Sequence, residues 1–138
     1  MSEEFSSEDI EEIIQENKDL VEGRGEPFGV NKERLLEVFS RLNSFNHIAD
    51  KRDQTIKKTA HILAMLAWQQ PFSDGNKEIA LSVAKLFLRR NGFDLPITTL
   101  EDEKELFDLL VKTVFKFGGD PTIIGEIEKY LFKNVANY

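Results

Sequence analysis

Apolar residues recur along this chain at three- and four-residue spacings, the signature of amphipathic helices, and no run alternates long enough to make a secure strand. Six helical segments follow from that pattern. The first carries the stripe Ile10, Ile13, Ile14, Asn17, Leu20 and Val21, with Ser6 or Ser7 placed to cap it, and it ends at Gly23. Arg24 to Gly29 then read as a Gly/Pro loop. Asn31 is placed to cap a second helix whose apolar face is Leu35, Leu36, Phe39 and Leu42. After a polar link from Asn43 to Asp53, a third helix turns Ile56, Ala60, Leu63 and Ala67 inward. Between Ala60 and Trp68 it is apolar on most sides apart from His61, so it belongs in the middle of the molecule.

The fourth helix begins at Asn76 or Lys77 and is mostly apolar from Ile79 to Leu88. Its polar residues Glu78, Ser82, Lys85 and Arg89 are spaced four, three and four, which puts them on a single face. Asn91-Gly92 stops this helix and Pro96 keeps it from resuming. Thr98 or Thr99 is placed to start a fifth helix, with Leu106, Leu109, Leu110 and Phe115, that Gly118, Gly119 and Pro121 break. The sixth, Thr122 to about Asn137, buries Ile124, Ile127, Tyr130, Leu131 and Val135. The expectation is an all-α fold: one compact bundle of about six helices around the fourth, with Gln70 to Asn76 lining a cleft. A single domain spans residues 1–138, with acidic residues 1–8 as a candidate flexible lead-in. At most a short hairpin is allowed for, in 23–30 or 46–53.

Composition narrows the function classes. A chain of 138 residues with 41% hydrophobic content is enough for one real core. It has no cysteine, which rules out a disulfide framework, a thiolate metal site and a cysteine nucleophile. The longest apolar run, Ile62 to Trp68, falls far short of the roughly eighteen residues of a membrane span. Glu3 and Glu4 stand where a secretory signal needs bases, so a cytoplasmic protein is expected. The net charge of −7 is unevenly placed, because Glu3, Glu4, Glu8, Asp9, Glu11, Glu12 and Glu16 all precede the first base, Lys18. An acidic first helix reads as a solvated face. Nothing resembles the basic patch that a nucleic-acid partner requires.

Candidate chemistry concentrates between Gln70 and Leu95, QPFSDGNKEIALSVAKLFLRRNGFDL. Asp74-Gly75-Asn76 is strong turn chemistry, because Gly75 accepts a positive φ and Asn76 can cap the helix that follows. A helix start offers free backbone N–H groups and the positive end of its dipole, which together attract anions. Gly75, Asn76 and Lys77 are therefore candidate phosphate-binding residues, and Asp74 can hold Mg²⁺ with help from phosphate oxygens. His61, two to three turns before Gln70, reads as a hydrogen-bonded core or cleft-edge histidine, and His47 as an exposed loop residue. Neither stands at a metal-ligand spacing from nearby acids.

The same stretch resembles the active-site loop and following helix of the Fic/Doc family, whose signature reads His-Pro-Phe-x-Asp-Gly-Asn-Lys-Arg. Pro71, Phe72, Asp74, Gly75, Asn76 and Lys77 match it, with Ser73 at the free position, and Phe-Leu-Arg-Arg-Asn-Gly at 87–92 extends the likeness. The resemblance spreads weakly over most of residues 8–135 and in size is nearest to the death-on-curing (Doc) proteins. It implies an all-helical fold with Phe72 anchoring the loop. It also implies a reaction in which a protein hydroxyl attacks a phosphate of ATP or another nucleotide, with Mg²⁺, leaving AMP or a phosphoryl group on the target.

The family's chemistry depends most on positions 70 and 78, and this chain departs at both. Gln70 stands where the family has its general base, and an amide has no useful basicity; losing such a base costs about 10²–10⁴ in rate. Glu78 stands where a family arginine grips the phosphates. A carboxylate about 4 Å from a phosphate charge is repelled by roughly 4 kcal/mol at an effective dielectric of about 20. The expectation is a catalytically impaired pseudoenzyme that binds a protein partner, target or regulatory, and a nucleotide or phosphate. The alternative is a divergent transferase that moves AMP or a phosphoryl group with a weak or substitute base. Many members carry an inhibitory helix, Ser/Thr-x-x-x-Glu-Gly/Asn. Glu12 to Asn17 matches only its Glu-Asn end and reads as coincidence.

Overall fold

A computed structural model describes residues 4–116 and 120–138; Gly118 and Gly119, expected to break the fifth helix, lie outside the described residues. Helix α1 (Ser7–Gly23) opens with a reciprocal box, in which the Ser6 hydroxyl accepts from the Asp9 amide and the Asp9 carboxylate accepts from the Ser6 amide. Helix α2 (Lys32–Ser40) starts on Asn31 and α3 (Lys51–Gln69) on Asp50, each side chain accepting from the amide three residues on. Part of the polar link before α3 is a 3₁₀ turn, Leu42–Phe45, held by the fully buried Leu42. Helix α4 (Asn76–Arg90) closes at Asn91, with Gly92 at φ 88°.

Helix α5 (Lys104–Lys116) begins later than Thr98 or Thr99. A 3₁₀ turn at Leu100–Asp102 comes first, with Leu100 buried as its anchor. Pro121 opens α6 (Pro121–Asn134), where its missing N–H costs nothing, and Asp120 caps it. The inner face of α6 carries Ile123, Ile127, Tyr130 and Leu131; Ile123 replaces the expected Ile124 because only it keeps the four-then-three spacing with Ile127 and Tyr130. Phe5, to which the helical pattern gives no element, is fully buried against Phe39 and Phe87, with ring centroids 4.4 and 5.9 Å away.

Helices α3 and α4 form the central pair. The whole stretch from Ala60 to Ala67 is buried, and α3 packs against α2, α4, α5 and α6. Helix α4 buries Ile79, Ala80, Leu81, Val83, Ala84, Phe87 and Leu88, and packs on α3 and α1. Neither allowed hairpin forms. Residues 23–26 are used in the end of α1, and Asp50 already starts α3. The strands are β1 (Phe93–Asp94) and β2 (Ala136–Asn137), paired antiparallel with Phe93 opposite Asn137. Among the described residues no helix is long and apolar enough to cross a membrane.

Candidate functional site

The loop between α3 and α4 is built from both sides. Helix α3 ends at Gln70, which takes a left-handed φ of 46° while its amide donates to the Leu66 carbonyl at 3.3 Å. Among the described residues Gln70 is the one non-glycine with positive φ, a conformation that costs an L-residue about 1–2 kcal/mol. Pro71 then bars the helix from continuing. Phe72 is buried and bridges antiparallel to Val30, so the 27–31 segment runs beside the loop. The Asn31 amide donates to Pro71 at 2.6 Å, and the Ser73 amide to Gly29 at 2.9 Å.

Asn76 does not cap α4 as its position suggests. Its side chain is buried and turned back on the loop, accepting from the Phe72 amide at 3.0 Å and donating to the Phe72 carbonyl at 2.9 Å. The N-cap is Gly75, at φ 76°, and no side chain caps the helix. Ile79 is the first residue to donate to the helix ladder, to the Gly75 carbonyl at 3.0 Å, which leaves the Asn76, Lys77 and Glu78 amides without an intrahelical partner. Lys77 makes no ion pair among the described residues. From behind, Asn17 of α1 donates to the Asp74 carbonyl at 2.8 Å. A Cβ on Gly75 would come within 3.0 Å of both Asn17 Nδ2 and Leu20 Cδ2.

Asp74 offers a single carboxylate at the loop. Its side chain is exposed, and among the described residues no group of three or more His, Cys, Asp or Glu side chains can hold a metal. Mg²⁺ characteristically takes one or two carboxylates and completes its shell with phosphate oxygens and water. The donor set therefore fits an ion shared with a phosphate, not one held by protein alone.

A cavity of about 540 Å³ opens along α4 from Glu78 onward, and the polar stripe Glu78, Ser82, Lys85 and Arg89 lines it together with Arg24 and residues 98–101. Gln70 and Asp74 are not among its lining residues, so this cleft lies a turn further along α4 than the loop expected to form it. Lys85 donates to the Ile97 carbonyl. Arg89 pairs with Asp94 at 3.0 Å and faces the Tyr138 ring at 5.2 Å. Arg24 Nη1 lies 2.8 Å from Glu78 Oε2. That hydrogen bond raises the Arg24 pKa further, aided by the charges of Glu78, Asp74 and Glu101. Glu78 therefore does not stand as the expected bare carboxylate against a phosphate: Arg24, the first residue of the expected Gly/Pro loop, pairs with it.

Arg24 is held there by the end of α1. It is the C-cap residue, Gly25 follows at φ 76°, and the Gly25 and Glu26 amides donate to Glu22 and Val21 at 3.0 and 2.9 Å. That pair of bonds is a Schellman motif. The glycine at 25 was the available signal: a glycine just after a helix marks its C-terminal cap and so the backbone path at Arg24.

Neither histidine lies in the loop. His61 is buried, with Nε2 3.0 Å from the Val38 carbonyl and its ring edge-on to Phe45 at 5.8 Å. Burial lowers its pKa. It stands nine residues before Gln70, about 13 Å along the helix axis. His47 is exposed before the opposite end of α3, with Nδ1 2.9 Å from the Ser44 carbonyl. In the segment Glu12 to Asn17, Asn17 reaches the loop while Glu16 remains exposed.

The model of the Fic/DOC family matches residues 7–88, from α1 through the loop and almost all of α4. This chain belongs to the Fic/DOC family. No curated protein matches it.

Proposed function

We propose that this Fic/Doc domain is a catalytically impaired member that binds a nucleotide or other phosphate-bearing ligand at the start of α4, docks a protein partner, and transfers nothing. One observation carries the reading: the loop leads into an uncapped helix start, yet holds no imidazole. The amides of Asn76 to Glu78 and the Lys77 ammonium suit phosphate oxygens. Gln70 can orient a hydroxyl by hydrogen bonding but cannot take its proton, and His61 and His47 are bonded to backbone carbonyls elsewhere. Mg²⁺, when bound beside Asp74, supplies neutralisation of phosphate charge. A cytoplasmic setting is part of the proposal and agrees with the absence of cysteine.

The alternative, a divergent transferase of AMP or phosphoryl groups, is supported by the intact run from Asp74 to Lys77. ATP labelled at the α- or the γ-phosphate separates the two readings when incubated with the chain, Mg²⁺ and candidate proteins. Impairment predicts nucleotide binding with no label on any protein. Robust labelling of a target, or of the chain itself, would establish the transferase instead.

A further inference from the structure

We infer that Arg24 takes over the phosphate grip that the family signature assigns to position 78, and that Glu78 positions it. The inference rests on the phosphate-binding reading above, since it adds a second cation, beside Lys77, that meets the phosphate.

Three cations line the cavity, and each already has a partner. Lys85 is bonded to the Ile97 carbonyl, and Arg89 to Asp94. Both therefore hold the 93–97 segment against α4. Arg24 differs, because its partner is the signature position itself, in the first turn of α4 beside the uncapped amides. One nitrogen of its fork meets Glu78, and the side chain is 44% exposed. A guanidinium carries five N–H donors and can meet a carboxylate on one edge and a phosphate on another.

The backbone fixes the point from which that side chain departs. The Schellman end of α1 sets the Arg24 Cα, while α1 itself is tied down twice. Asp9 grips Arg90 at the far end of α4 through two bonds of 2.8 and 2.9 Å, and Asn17 holds the Asp74 carbonyl. The role of Glu78 then inverts. Alone it would repel phosphate; paired, it neutralises itself and aims the fork. Arg24 is a binding residue in this account and Glu78 a positioning residue.

Calorimetric titration of the full chain with Mg²⁺–ATP, and separately with inorganic pyrophosphate, tests this. Arg24→Ala should weaken both by about tenfold or more, the scale of a lost charge-assisted fork contact. Arg24→Lys should fall in between, because an ammonium restores charge without the fork. Glu78→Ala should weaken both by about threefold or more in the parent, because Arg24 loses the carboxylate that aims it, yet improve affinity several-fold in the Arg24→Ala background, since only there is the carboxylate uncompensated. A merely structural ion pair would leave every affinity unchanged. If the parent binds both probes and Arg24→Ala binds them equally well, the Arg24 inference is overturned while the phosphate site stands. If the parent binds neither at millimolar concentration, the phosphate site is wrong and the inference falls with it.

Discussion

Helices α3 and α4 begin in opposite ways, although the chain offers each a residue able to cap it. Before α3, Asp50 is the N-cap and its carboxylate accepts from the Asp53 amide at 2.9 Å. Before α4 the N-cap is a glycine, and Asn76, one place further on, turns its amide back to both backbone groups of Phe72. A side-chain cap contributes about 1 kcal/mol, so α3 gains local stability that α4 forgoes. A helix start that already holds its own carboxylate offers an anion fewer donors and an opposing charge. The start of α4 keeps its donors, and stapling the loop is the reason.

The largest effect should come from Gly75→Ala. The left-handed backbone and a Cβ within 3.0 Å of Asn17 and Leu20 both oppose it, for a loss of about 2–4 kcal/mol in urea denaturation. Next is Asn76→Ala, which leaves buried Phe72 backbone groups unpartnered; it should cost about 2 kcal/mol and also weaken Mg²⁺–ATP binding. Asp50→Ala should cost about 1 kcal/mol and leave nucleotide affinity unchanged, because the start of α3 takes no ligand.

The smallest effect concerns pH. His61 lies on α3 with a pKa held below its ordinary value of about 6.5 by burial, so the unfolded chain takes up the proton first. Its contribution is fully present above that value and declines as pH falls below it. Thermal unfolding between pH 7.5 and 5.5 should show this decline in the parent, by comparison with a flatter profile in His61→Gln.

Much of this comparison was legible in local sequence. Ser6, Asn31, the buried Ala60–Ala67 stretch and the loop itself are readable because caps and helix periods act within about four residues. What was missed depends on how the elements dock. Arg24 and Glu78 are 54 positions apart and meet only because α1 packs on α4. Phe5 looks like part of an acidic tail until Phe39 and Phe87 are brought beside it. Asn76 has the right chemistry for a cap at the wrong place for one. Its side chain bonds the Phe72 backbone four residues earlier, which only the path of the loop discloses.

The claim that the start of α4 is an open anion site, and that of α3 a closed one, is tested most directly by following backbone amide shifts by NMR during titration with Mg²⁺–ATP. The account predicts the largest saturable shifts at Gly75, Asn76, Lys77 and Glu78, with Arg24 following them and Lys51 to Asp53 unmoved. Shifts of equal size at both helix starts, or confined to residues outside the loop and cavity, would contradict it.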